Sequence, residues 1–192
     1  MFLKRFFPKK VARSVYYINF KKYYNKLGYR GILFDIDNTL VPHGEKADEK
    51  AVNFFQRLRD IGFKFCLISN NKEERVKPFA DAVGAPYIFD AHKPSVNAYN
   101  MAMEIMGTDI DETIFVGDQV FTDVFGGNRA NMYTILVRPI HPKEEIQIVL
   151  KRYLEKIVMW RYARQDRKKL RKENKQYNMA RLLRLKKKKE KA

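Results

Sequence analysis

The stretch Gly31-Ile32-Leu33-Phe34-Asp35-Ile36-Asp37-Asn38-Thr39 decides the fold of this chain. Four residues with no charge end abruptly in two carboxylates spaced two apart. An apolar run of this length, bounded by a change in polarity, reads as a strand buried on both faces. Extended backbone points Asp35 and Asp37 to the same side. Two like charges that close are not both ionised cheaply unless a cation lies between them or one keeps a proton. Either arrangement implies chemistry: a nucleophile beside an acid/base, or a divalent metal site.

Working outward, the pattern repeats. Short apolar runs at Gly31–Asp35, Phe63–Ser69, Tyr87–Phe89, Thr113–Val116 and Tyr133–Leu136 read as strands. Helical spacing of apolar residues falls between them, over Asp48–Asp60, Glu73–Val83 and Ser95–Met106. Gly62, Gly84 and Gly107 stand where these helices need C-terminal caps. Asp123–Ala130 predicts a short helix at best, because Gly126 and Gly127 weaken it. Strands alternating with helices define an α/β protein with a central parallel sheet. Ligands in such sheets collect where strands end.

The chain has 192 residues, which suits one domain with extensions. Its single cysteine, Cys66, lies in an apolar run and reads as a small buried hydrophobe in a reducing compartment. No apolar run reaches the roughly 20 residues of a membrane-spanning helix. The net charge of +17 is unevenly placed: residues 1–30 carry +9, residues 31–150 carry −6 and residues 151–192 carry +14. An acidic centre between basic ends points to an anionic partner, either a membrane surface or nucleic acid.

The expected organisation is a basic, aromatic, amphipathic lead-in at 1–29, a catalytic domain at 30–142, an amphipathic helix at 143–160 and a highly basic tail at 161–192, helical or disordered. In the lead-in, Val11, Val15 and Ile18 follow Pro8 at helical spacing, beside Phe2, Leu3, Phe6, Phe7, Tyr16, Tyr17, Phe20, Tyr23, Tyr24 and Tyr29. Such a segment suits an anionic bilayer interface; packing against the sheet as an extra helix is the other reading. Arg138–Pro142 ends the sheet domain. The helix at 143–160 places Ile146, Val149, Leu150, Leu154, Ile157 and Val158 on its apolar face.

Four polar clusters follow strand ends in order. They are Asp35/Asp37/Thr39, then Ser69-Asn70-Asn71, then His92-Lys93-Pro94, then Gly117-Asp118-Gln119-Val120-Phe121-Thr122-Asp123. Together they hold the parts of phosphoryl transfer: a carboxylate nucleophile, an acid/base, a hydroxyl and a lysine for phosphoryl oxygens, and carboxylates for a hard cation. Taken singly, Asp35 and Asp37 could be capping residues, and Thr122 is explained by capping the helix after it. His43, His92 and His141 read as structural or solvent-facing. Asn71 reads as a loop-shaping residue.

The set closely resembles the haloacid-dehalogenase (HAD) superfamily of phosphatases over about residues 30–138. The resemblance implies a HAD-like Rossmannoid three-layer fold and catalysis through an aspartyl-phosphate. It makes Asp35 the nucleophile and Asp37 the general acid/base. It assigns phosphate binding to Thr39, Ser69, Asn70 and Lys93. It places Mg²⁺ on Asp35, the backbone carbonyl of Asp37, Asp118 and Asp123, the last directly or through water. Acid at position 37 points to a phosphatase within the superfamily.

A cap domain, where HAD enzymes carry one, is inserted at either of two points. Here 33 residues separate Asp35 from Ser69 and 23 separate Ser69 from Lys93. Neither gap holds a domain, so an open site and a phosphate on something large are expected. The motifs are similar to the YqeG-type branch of subclass IIIA, which resembles the mitochondrial phosphatidylglycerophosphate phosphatases. That resemblance implies a peripheral membrane enzyme acting on a phospholipid headgroup at an anionic lipid surface; the expected location is cytoplasmic, with an organelle-targeted form the lesser alternative because the N-terminal segment is basic and acid-free. Two alternatives stand beside it: a phosphatase of soluble or macromolecular phosphoesters, and an RNA- or ribosome-associated protein that binds nucleic acid through its C-terminal tail. Oligomeric state is not legible.

Overall fold

The computed structural model describes residues 2–141 and 153–168. At its centre lies a six-stranded sheet in the order β1-β6-β5-β2-β3-β4, with every pair parallel. The strands are β1 (Lys10–Ala12), β2 (Gly31–Phe34), β3 (Lys64–Ile68), β4 (Tyr87–Ile88), β5 (Thr113–Gly117) and β6 (Tyr133–Val137). The helices are α1 (Phe20–Leu27), α2 (Glu49–Ile61), α3 (Glu73–Val83), α4 (Asn97–Met106) and α5 (Phe125–Arg129). This is the three-layer Rossmannoid architecture expected from the sequence. A further helix over residues 153–168 belongs to a separate compact unit that begins at Arg152. Among the described residues, no helix is long and apolar enough to cross a membrane.

Alternation along β2 builds the layers. Ile32 and Phe34 join one core with Phe20, Phe54, Phe55 and Phe79 of α1, α2 and α3. Leu33 turns the other way and packs with Cys66, Phe115 and Tyr99, the last from α4. Phe34, Phe55, Phe79 and Phe115 are fully buried, and each such ring contributes roughly 1.5–3 kcal/mol by leaving water. Asp48 caps α2, its Oδ1 accepting from Ala51 N at 2.7 Å, and Gly62, Gly84 and Gly107 close α2, α3 and α4. Cys66 is a buried free thiol.

The lead-in departs from its expected helix. Val11 lies in β1, paired with Leu136 at the edge of β6, and Lys9 N donates to Thr134 O at 3.0 Å. Without this strand the edge of β6 would leave a row of backbone groups unpaired. Ser14 then breaks the chain into a short 3-10 turn at Val15–Tyr17, and α1 starts only after Asn19, whose Oδ1 accepts from Lys22 N at 3.0 Å. The aromatic residues mostly complete the domain. Phe20 and Tyr23 are buried, and Phe20 meets Phe34 and Phe63 edge-on at 6.1 and 6.0 Å. Phe6 stacks at 4.6 Å on Phe125.

Ile146, Val149 and Leu150 of the expected apolar face fall outside the described residues. Within 153–168, Val158 is buried, while Tyr153, Leu154, Ile157 and Trp160 are exposed. Of the tail beyond Arg161, the residues to Lys168 are helical, and the remainder lies outside the described residues.

Candidate active site

Chain direction reverses about β2. From it the chain moves outward through β3 to β4, then returns to its other side at β5 and continues to β6. Side chains just past the ends of β2 and β5 face the crevice that such a reversal opens. Asp35 follows β2 there, and Asp118 follows β5. Ser69 follows β3, next door. The two gaps between motifs hold α2 with β3 and α3 with β4, so neither holds an inserted cap domain.

Lys93 binds the cluster together. Its Nζ lies 2.6 Å from Asp35 Oδ1 and 2.7 Å from Asp123 Oδ1, and its side chain is 3% exposed. Burial alone would lower its pKa, but the Asp123 and Asp35 carboxylates outweigh it and hold the ammonium well above the usual lysine range. Asp35 is pushed above the usual carboxylate range by burial, with Lys93 opposing and the charges of Asp123 and Asp37 adding. Thr39 Oγ1 stands 3.0 Å from Asp35 Oδ2 and 3.4 Å from Asp118 Oδ1. A hydroxyl has one proton, and the shorter contact orients Asp35.

Asp123 organises the β5 loop. Its Oδ2 accepts from the backbone N–H groups of Asp118 and Gln119 at 3.1 and 3.0 Å. This fold-back requires a residue without a side chain at Gly117, where a Cβ would lie 2.5 Å from Asp123 Cγ. Thr122 takes no part in the cluster; its hydroxyl bonds to Gln119 Oε1 at 3.2 Å.

Carboxylate oxygens of Asp35, Asp118 and Asp123 all lie within 4.8 Å of one another. One ammonium among three buried carboxylates leaves excess negative charge, and hard oxygen donors suit a divalent cation. The residues present therefore fit a metal of that class.

Asp37 sits nearer the rim, its side chain 12% exposed. Its Oδ2 accepts from Asn71 Nδ2 at 2.6 Å, and its Oδ1 from Arg75 Nη2 and from Gly44 N, both at 2.8 Å. His43 Nδ1 is 3.8 Å away and half exposed. Two of these partners were not legible as functional. Asn71 reads as loop-shaping in sequence, and Arg75 as one more charge on the first turn of α3; its position four residues beyond Asn71 was the available signal. Asn70 holds the Lys93 backbone: its Oδ1 accepts from Lys93 N at 2.7 Å and its Nδ2 donates to Lys93 O at 3.3 Å. Ser69 is buried, with its Oγ accepting from Asn71 N at 3.1 Å.

The catalytic loop is braced from both ends of the domain. Tyr16 of the lead-in donates its hydroxyl to Leu40 O at 2.7 Å. After β6 the chain returns to Asn38, where Ile140 N donates to its backbone oxygen at 3.0 Å and His141 N to its Oδ1 at 3.2 Å.

A buried carboxylate just past β2, a lysine, a hydroxyl and a metal-competent acidic cluster at a sheet crevice define a HAD-type phosphatase site. Sequence comparison agrees. The family model for haloacid dehalogenase-like hydrolases matches residues 44–131. The chain is 34% identical over 159 residues to "Probable phosphatase YqeG" of Bacillus subtilis, covering 82% of this chain and 92% of that protein. It belongs to the haloacid dehalogenase-like hydrolases. It is also 26% identical to "Phosphatidylglycerophosphate phosphatase 1, chloroplastic/mitochondrial" of Arabidopsis thaliana, over 84% of this chain but only 49% of the plant protein. A chloroplastic protein of the same name from Chlamydomonas reinhardtii matches at 26% identity, over 71% of this chain and 55% of that one.

Proposed function

We propose that this protein is a Mg²⁺-dependent phosphatase that cleaves a phosphomonoester through an aspartyl-phosphate on Asp35, and that its substrate is phosphatidylglycerophosphate at an anionic membrane surface. The observation that carries the reaction is the buried Asp35–Lys93–Asp123 cluster at the uncapped end of the sheet. A carboxylate oxygen of Asp35 bonds to phosphorus as the ester P–O bond breaks, and Asp37 gives a proton to the leaving oxygen. Water then attacks the same phosphorus, Asp37 takes its proton, and inorganic phosphate leaves as Asp35 is restored. Lys93 neutralises phosphoryl oxygens throughout. Asp35 and Asp118, with Asp123 ordering them, would hold Mg²⁺, which supplies further charge neutralisation when bound.

Three features support the lipid substrate. Two of the relatives carry that activity in their names. Among the described residues, neither gap between the motifs holds a cap domain to enclose a small metabolite. Basic surface is available on both compact units. In the first, an open groove of about 600 Å³ is lined by Lys4, Arg5, Lys9 and Arg129, with no acid. In the second, the helix over 153–168 exposes Tyr153, Leu154, Ile157 and Trp160 among basic residues. Apolar stripes flanked by cations dock on anionic interfaces, at about 1 kcal/mol per basic residue near the surface.

The test is Mg²⁺-dependent phosphate release from phosphatidylglycerophosphate in mixed micelles, beside a panel of soluble phosphomonoesters, with Asp35→Asn as control. Preference for the lipid, abolished by Asp35→Asn, is expected. Equal turnover of soluble esters would overturn the lipid substrate. Salt-sensitive RNA binding through residues 161–192, with no binding to anionic vesicles, would favour a ribonucleoprotein role for the basic tail.

A further inference from the structure

Arg75 stands beside Asp37 with one buried donor unpartnered. Among the described residues, its guanidinium donates one hydrogen bond, from Nη2 to Asp37 Oδ1. Its Nε is buried and has no partner. A guanidinium offers five N–H donors in a planar fork, and a buried N–H without a partner is rare enough in folded proteins to need a reason. Asp37 does not depend on Arg75, because Asn71 and Gly44 also hold its two oxygens. The side chain is one-fifth exposed, so it is reachable from the open mouth.

Its position gives the reason. Asp37 is the group that protonates the leaving oxygen, so the departing alcohol lies along it, and Arg75 flanks that path. Building on the phosphatase reading above, we propose that Arg75 is a leaving-group subsite for a second phosphoryl anion on the alcohol. The substrate class is then a phosphomonoester whose alcohol carries a phosphodiester a few bonds away. Moving the fork from one carboxylate oxygen to a bidentate phosphoryl acceptor adds a hydrogen bond. Phosphatidylglycerophosphate has this form, with its diester on the third carbon from the ester oxygen, but the subsite needs no lipid.

Two soluble probes with the same three-carbon spacer isolate it: 3-methoxypropyl phosphate, and the same ester with a methyl phosphodiester in place of the methoxy group. The parent enzyme should favour the diester-bearing probe in kcat/KM by about tenfold to a hundredfold, the range of one charge-assisted contact. Arg75→Gln should bring the ratio near one, and Arg75→Lys should keep part of it. If Arg75→Gln slows both probes alike and leaves the ratio intact, Arg75 only positions Asp37 and the subsite is refuted. A parent ratio near one refutes it too. Calorimetric titration of Asp35→Asn with the diester-bearing probe reads the subsite without turnover; adding Arg75→Gln should weaken binding about tenfold or more, and unchanged affinity overturns the proposal. An enzyme that keeps the discrimination yet ignores phosphatidylglycerophosphate would retain the subsite and lose the lipid substrate.

Discussion

Lys93→Met keeps the length of the side chain and removes its charge. In the parent, the ammonium lies 2.6 and 2.7 Å from two carboxylates that are almost wholly buried. Removing one partner of a buried ion pair leaves uncompensated charge and costs about 3–5 kcal/mol. At about 2–4 °C per kcal/mol for a chain of this size, the variant should melt roughly 6–20 °C lower in metal-free buffer. The deficit should depend on pH with a definite sign. A carboxyl whose folded-state pKa is raised, as for Asp35, contributes stability below the ordinary carboxylate range and loses it as pH rises through the folded value. Without Lys93 that rise is larger, so the deficit should be smaller near about pH 5 than near about pH 8. Saturating Mg²⁺ should restore part of the stability by returning positive charge to the cluster. It should not restore turnover, which should fall by about 10²–10³ with the loss of a phosphoryl-stabilising cation. Scanning calorimetry at two pH values, with and without Mg²⁺, and phosphate release at saturating substrate measure both quantities. A metal-free variant within about 1 kcal/mol of the parent at the higher pH, or turnover within about tenfold, would refute the assignment of Lys93 as the cation of the cluster.

Further outcomes are expected elsewhere. Mg²⁺ at a hundredfold excess over its dissociation constant should stabilise the parent by about 2.7 kcal/mol, and Asp118→Asn should lose most of that gain in a thermal-shift titration. Burial pushes the Cys66 thiol up to about 12, so at about pH 8 roughly one molecule in ten thousand carries the thiolate. Iodoacetamide should therefore leave the folded protein unlabelled and label it after urea unfolding; rapid labelling of the native state would contradict the buried placement. Gly62→Ala should cost about 1–3 kcal/mol in urea titration, because φ there is +103° and the new Cβ would lie 2.6 Å from the Tyr24 hydroxyl oxygen.

The sheet centre was legible because its strands are short apolar runs ending in polar clusters. Only their limits moved: β2 stops at Phe34, and β5 runs on to Gly117. The C-caps at Gly62, Gly84 and Gly107 were equally readable, since their glycines follow periodic helices. The first strand was not. Lys10–Ala12 has no pattern of its own, and its extended form comes from pairing with a distant edge. Aromatic richness in the lead-in is ambiguous in the same way, because Phe20 against Phe34 and a phenylalanine in a bilayer look alike in sequence. In the site, Asp35, Lys93, Asp118 and Asp123 announce themselves by charge at strand ends. The partners of Asn70 and Asn71 were not legible, as adjacent amides on a turn face different groups, here the Lys93 backbone and Asp37. Arg75 was hidden because a helix in an acidic domain carries such charges routinely, and only the tertiary fold brings it to Asp37.

The return of the chain from β6 to Asn38 has a practical bearing on where the enzymatic unit stops. Ile140 and His141 donate to Asn38 through backbone N–H groups, one to its carbonyl and one to its Oδ1, so the donors depend on the presence of the chain there and not on the Ile140 or His141 side chains. Asn38 holds a left-handed conformation at φ 61°, between Asp37 and Thr39. A clone trimmed at Val137 would keep all six strands, yet would deprive the Asn38 carbonyl and Oδ1 of both these donors. The last strand is therefore not a safe truncation point, and a fragment that keeps the Asn38 contacts must reach at least His141.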